Sequence, residues 1–169
     1  KANPAIQQLW WNLEEAALRA VKYKTTIKTD YYGLAFIYQP GVLFMRLPSG
    51  RRLAYVRPKV ETDDRFDKET VTYEGVETGK WTRLKTYGGK LTENAVQAIA
   101  RDCLAEAIHR IDAAGYKVIF HVHDEVVCEM PKGRGSVEEV EEIMSQPIEW
   151  AKGLPLAADG FEAEYYQKD

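Results

Sequence analysis

The chain has 169 residues, 45% of them apolar and 29% charged, which is the size and composition of roughly one globular domain. No stretch reaches the roughly 18 apolar residues of a membrane-spanning helix. The opening K-A-N-P-A-I-Q-Q has no basic segment leading into an apolar core, so it does not read as a secretion signal. The net charge of −3 is unevenly divided: residues 1–101 carry +6 and residues 102–169 carry −9, so a nucleic acid would meet the first part.

Asn3 and Pro4 suit the N-cap and first position of a helix. Ile6, Leu9, Trp10, Leu13, Ala17 and Val21 then recur at helical spacing, and the bulk of Trp10 and Trp11 predicts packing on both sides. Residues 23–39 have weak periodicity and end in a Pro40-Gly41 turn. Residues 42–47 and 51–56 read as strands around the Pro48-Ser49-Gly50 turn. Residues 60–68 are charged and read as a loop. Residues 71–73 and 81–84 are shorter strand candidates around Gly75 and Gly79, and Thr86-Tyr87-Gly88-Gly89 breaks the pattern.

The longest helix is expected from about residue 91 to 114, with Thr92 as N-cap and Gly115 as its stop. Val96, Ile99, Ala100, Cys103, Ala107 and Ile111 form its expected apolar face. Asn94, Gln97 and Arg101 form a polar stripe at i, i+3 and i+7. Ser136 and Glu139 have capping-box spacing for a helix to about residue 146, which Pro147 ends before a short turn through Trp150. Residues 161–166 are a last strand candidate. Strand runs with helices on one side predict an α+β domain with an antiparallel sheet. Cys103 and Cys128 fit no metal-finger spacing and read as buried free thiols of a reducing cytosol.

Between the two parts of this pattern lies Y-K-V-I-F-H-V-H-D-E-V-V-C-E-M-P, residues 116–131. Strand formers at 118–122 and 126–130 flank a short polar break, His123-Asp124-Glu125, which predicts a hairpin. The long helix is expected to pack on this hairpin, because sequential elements are usually neighbours. Two carboxylates where buried strands meet are costly without a compensating partner. Oxygen ligands of this kind hold Mg²⁺, so Asp124 and Glu125 suit half of a metal site for phosphoryl chemistry. The alternative is an exposed turn with ordinary acidic residues. His121 and His123, at i and i+2 with Asp124 beside them, also suit a zinc-dependent hydrolase. A barrel of the amidohydrolase type would need about 250 residues, with such a motif near its start. A non-catalytic interaction domain is a third reading.

Several motifs together resemble the C-terminal part of family A (polymerase I-like) DNA polymerases, in their phage-encoded branch. They are N-P-x-I-x-x-L-W with W-x-x-L-E-E-A-A, R-L-P-S-G-R-R-L, and W-x-R-x-x-T-Y-G-G-K-L-T-E-N-x-x-Q-A-I-A-R-D. V-H-D-E-V-V and L-P-L-x-A-D-G-F complete the set. The resemblance implies a partial polymerase palm, with residues 1–41 a fingers-derived or connecting helix and residues 42–169 palm. It implies template-directed nucleotidyl transfer with two Mg²⁺ ions in the full-length parent. Asp124 maps to a metal ligand, Glu125 to its supporting carboxylate, and His123 to a residue near the primer 3′ end. Gln97 maps to a minor-groove glutamine, flanked by Asn94 and Arg101 as further DNA contacts. The implied partners are primer–template DNA and deoxynucleoside triphosphates in a bacterial host's cytoplasm.

The family pattern is not fully matched. Glu93 stands where the wider family has an asparagine, four residues before Gln97, and Asn94 lies one residue later. The metal motif D-Y-S-x-x-E is imitated only by Asp30-Tyr31, with Tyr32 in the serine position and no glutamate following. Arg83, Lys85 and Tyr87-Gly88 imitate the nucleotide-binding helix with other spacing, and no 3′–5′ exonuclease pattern occurs. The expectation is a fragment whose upstream fingers and palm segments lie before Lys1. It would be inactive alone, bind DNA weakly, and expose apolar surface that could support a homodimer.

Overall fold

Six antiparallel strands in sequence order dominate the first part of the computed structural model, which describes residues 3–31, 33–63 and 67–167. The elements are α1 (Pro4–Tyr23), β1 (Thr26–Lys28), β2 (Ala35–Gln39), β3 (Val42–Arg46), β4 (Arg52–Asp63), β5 (Lys68–Glu77), β6 (Lys80–Lys85) and α2 (Gly88–Ala113). They continue as β7 (Lys117–Val122), β8 (Glu125–Glu129), α3 (Val137–Ser145) and a 3-10 turn, Glu149–Ala151. The class is α+β, as expected. The chain forms two compact units, Lys1–Ile99 and Ala100–Asp169, and the division falls within α2. No described helix is long and apolar enough to cross a membrane.

In the first unit α1 begins at Pro4 and ends where Lys24 takes a left-handed backbone and donates its N–H to Ala20 O. Its buried stripe is Leu13, Ala16, Ala17, Ala20 and Val21, at i, i+3, i+4, i+7 and i+8. The expected packing on both sides is not found. Ile6, Trp10 and Trp11 are exposed, because the stripe of small residues that meets the sheet starts only after them. The core joins this stripe to Phe36, Leu43, Met45, Tyr55 and Val71 from the strands and to Leu91, Ala95 and Ala98 from α2. Burying a side chain such as Phe36 or Leu13 is worth about 1.5–3 kcal/mol.

Three sequence expectations in this unit are corrected. The weakly periodic 23–39 stretch contains β1 and β2, whose pairing Ile27↔Phe36 sets two apolar residues on the core face. The charged 60–68 stretch is largely strand: Val60↔Val71 and Asp63↔Lys68 extend the β4–β5 pair, while residues 64–66 lie outside the described residues. Val60 continues the inward face and opposite charges close the pair, so polarity there marks two solvated edges and not a loop. The 81–84 and 71–73 candidates are parts of the longer β6 and β5.

Helix α2 starts four residues before the expected N-cap. Thr92 lies inside it and its Oγ1 donates to Gly88 O at 2.8 Å, a bond back to the preceding turn. The early start depends on Gly88, where an added Cβ would lie 2.2 Å from Trp10 O. The expected apolar face is borne out at Ala107 and Ile111 and shifted before them. Val96 and Ala100 are exposed, Ile99 and Cys103 are half-buried, and the buried positions are Leu91, Ala95, Ala98, Leu104, Ala107 and Ile111. Close approach selects the small residues, whereas bulk suggested Val96. At its end Gly115 (φ +90°) donates to Asp112 O and Tyr116 N donates to Ile111 O, a Schellman stop as expected.

The second unit has a smaller core: Ile111, Tyr116 and Ile143, with Val118, Val126, Cys128, Met130, Val140 and Met144 against it. The C-terminal end of α2 therefore packs on the hairpin, as expected. Ser136 Oγ accepts from Glu139 N at 3.1 Å and caps α3. The second half of the capping box runs through Tyr116, whose hydroxyl accepts from Ser136 N at 3.1 Å and donates to the Glu139 carboxylate. Arg110 donates to Gln146 O and Pro147 O, each at 3.1 Å, after the helix ends. Residues 161–166 form no strand; they are exposed, and Tyr166 meets Phe120 edge-on at 5.1 Å. Both cysteines are free but only half-buried, and burial pushes both thiols up from their ordinary value.

Candidate functional site

The predicted hairpin is present, closed by the pair Val122↔Glu125 with His123 and Asp124 as a two-residue turn. His123 takes a left-handed backbone, φ +51°. Positive φ at the first turn residue matches the twist of the flanking strands, and histidine tolerates it better than most non-glycine residues. The turn presents His123 and Asp124 to solvent, and Glu125 begins β8 half-buried. The strands are not the buried pair that the apolar runs suggested: Ile119 and Phe120 are 46% and 39% exposed. One face of the two-stranded sheet meets the core and the other lies open, so Asp124 bears no burial cost.

A bulge between Val118 and Phe120 decides which side chains share a face. Val118 packs on the core with Val126 and Cys128. Strict alternation would put Phe120 and Val122 with them. The extra residue reverses the phase, so His121 pairs with Val126 and joins the face that meets α2. There Arg101 Nη2 donates to His121 Nε2 at 3.4 Å. Glu125 points to the opposite face, with Val127 and Glu129.

This geometry weakens the zinc reading. Two histidines at i and i+2 share a side only within one strand, and His123 has left the strand for the turn. His121 Nε2 lies 3.4 Å from Arg101 Nη2, so a cation already stands beside it. Among the described residues, no three His, Cys, Asp or Glu side chains converge as a metal site. Asp124 and Glu125 are the hard oxygen donors that Mg²⁺ prefers, but they are only two, and no third His, Cys, Asp or Glu among the described residues joins them. The described residues therefore do not by themselves fit a complete Mg²⁺ site.

The three expected DNA contacts have different surroundings. Asn94 is half-buried and its Nδ2 donates to Tyr55 Oη at 3.0 Å in the first unit. Burial pushes the Tyr55 phenol up to about 12, and the Asn94 bond pulls in the other direction. Tyr55 also meets Tyr73 edge-on at 5.1 Å. Gln97 is exposed in the same unit, and Arg101 is exposed in the second, bound to His121. Asp30 is exposed in the bend after β1. The Tyr55–Asn94 and Arg101–His121 pairs were not read from sequence. The first joins residues 39 apart, and the second depends on a bulge that no residue type announces.

Comparison with known proteins gives one strong likeness. The chain is 57% identical over 169 residues, 99% of its length, to the DNA polymerase of Bacillus phage SP02. It spans only about a quarter (26%) of that protein. The chain is homologous to that part of a phage DNA polymerase. No family model matches it, and no solved structure matches it.

Proposed function

We propose that this chain is the palm region, with some fingers-derived helix, of a longer family A DNA polymerase of the phage type. It would share in template-directed nucleotidyl transfer. The observation that carries this is the 57% identity along almost the whole chain to a phage DNA polymerase. The accessible Asp124 at the apex of a hairpin supports it, since a carboxylate there can meet a substrate and further ligands. In this reading Mg²⁺ is the cofactor and supplies charge neutralisation for phosphoryl transfer. Asp124 and Glu125 contribute part of its ligand set, and upstream fingers and palm segments contribute the rest. His123 stands beside them near the primer end.

Gln97 is the proposed minor-groove contact. Minor-groove acceptors are nearly alike in every correct pair, so an exposed amide donor can check pair shape without reading sequence. Arg101 adds a cation on the same helix. Asn94 acts through Tyr55, which its amide already holds. The setting is a phage-infected bacterial cell, with primer–template DNA and nucleoside triphosphates as substrates.

The test is primer extension with Mg²⁺ by three samples: the 169-residue chain, a longer protein that includes it, and that protein carrying Gln97→Ala. The chain alone should not extend, and the longer protein should. Gln97→Ala should change extension past a mismatch by about fivefold, the worth of one hydrogen bond on the order of 1 kcal/mol. No extension by the longer protein would favour the interaction-domain reading. Unchanged mismatch extension would return Gln97 to a solvated helix flank.

A further inference from the structure

On the face of the six-stranded sheet turned away from α1, Lys28 and Arg52 are exposed, Arg46 is half-buried and Ala35 between them is buried, and the composition of this face points to a ligand. Strand pairing runs Lys28↔Ala35↔Arg46↔Arg52 across β1 to β4. With about 4.8 Å between neighbouring strands, this sets three cations along roughly 14 Å. Arg46 and Arg52 are directly opposite each other, an arrangement of like charges that destabilises a sheet. Among the described residues no carboxylate forms a salt bridge with any of the three. Arg46 Nη2 instead donates to Gly33 O at 3.3 Å, and the Arg52 guanidinium lies 5.8 Å from the centre of the Phe44 ring.

Two residues further along the strands, the next row is Ile37↔Phe44↔Ala54. None of these belongs to the core; Ala54 is exposed and the other two are half-buried. The row lies about 7 Å from the cations. The surrounding unit is basic, with 16 Lys and Arg against 11 Asp and Glu in residues 1–99.

We infer that this face binds single-stranded DNA, with the Lys28–Arg46–Arg52 row on successive phosphates and the Phe44–Arg52 stack under the unpaired bases. Charge complementarity requires a polyanion, and a row of phosphates would relieve the Arg46–Arg52 repulsion. The apolar row beside the cations selects a single strand over a duplex, whose bases are already stacked and hidden. The choice of DNA among polyanions rests on the polymerase reading; the cation row does not. The face belongs to the first unit and the Asp124 turn to the second, so either can fail without the other.

The test measures binding of a labelled oligothymidylate of roughly 12 nucleotides to the 169-residue chain by fluorescence anisotropy at several salt concentrations. Binding of the weak, non-specific kind, with Kd on the order of 10⁻⁴ to 10⁻⁶ M, is expected. The variant Lys28→Gln/Arg46→Gln/Arg52→Gln should lower the slope of log K against log salt by about 2, because each phosphate contact with a single strand adds about 0.7. Lys28→Arg/Arg46→Lys/Arg52→Lys should keep the slope. Lys117→Gln/Lys132→Gln/Lys152→Gln, in the second unit, should change neither slope nor affinity. If the triple glutamine variant does not fold, Arg52→Gln alone should lower the slope by about 0.7. Absence of binding, an unchanged slope in the glutamine variants, or better competition by a duplex of equal length would each overturn the proposal. Loss of primer extension in a longer Asp124→Ala protein would leave it standing.

Discussion

His123 holds a left-handed backbone at a turn position where glycine would be free of strain. Such a conformation costs a non-glycine residue about 1–2 kcal/mol. His123→Gly should therefore raise the urea midpoint of the second unit by the equivalent of up to about 1 kcal/mol, while His123→Val should lower it. A loss of stability in the glycine variant would show that the imidazole makes contacts that outweigh the strain. Tyr55 gives a second test. Its folded pKa, raised to about 12 by burial, means that the folded state retains the proton. The stability this contributes is complete below the unfolded value of about 10 and is lost as pH rises through about 12. Absorbance titration should show the Tyr55 step near 12. Asn94→Ala should move that step higher still and cost on the order of 1 kcal/mol. A Tyr55 step in the ordinary tyrosine range would contradict its burial.

Gly88 shows how one residue sets an element. An added Cβ would sit 2.2 Å from the Trp10 carbonyl oxygen, and a backbone atom cannot yield as a side chain can. Gly88→Ala should destabilise the first unit by about 1–3 kcal/mol or more. Gly89→Ala, whose Cβ would meet the movable Tyr87 ring at 3.0 Å, should cost less. Thermal unfolding of the two variants side by side would decide; equal costs would mean that the start of α2 is not pinned at Trp10. Elements with strong punctuation were legible in sequence. Asn3-Pro4, Pro48-Ser49-Gly50, Gly115 and the Ser136–Glu139 cap all lie where the structure has a boundary. What escaped was set by tertiary contacts. The three-residue β1 is too short to show alternation, and the buried face of α2 is chosen by close approach of Ala95 and Ala98. The aromatic run at 161–166 has strand composition but forms no ladder; Tyr166 packs on Phe120 as a single contact.

At the scale of the molecule, each unit has its own core, and the charge asymmetry read from sequence follows the division between them. The His-Asp-Glu turn was legible because strand formers on both sides can be joined only by a tight polar break. Its exposure was not, since apolar composition cannot tell a strand buried on both faces from one packed on a single face. Nor was the Arg101–His121 pair, which follows from the bulge at Ile119. The central claim is that the exposed Asp124 serves nucleotidyl transfer within a longer polymerase. The most direct measurement is steady-state primer extension by that longer protein and its Asp124→Ala variant, with DNA affinity measured in parallel. The account predicts loss of most nucleotide incorporation, with DNA affinity largely retained because phosphate contacts dominate it. Near-normal turnover by Asp124→Ala would contradict it.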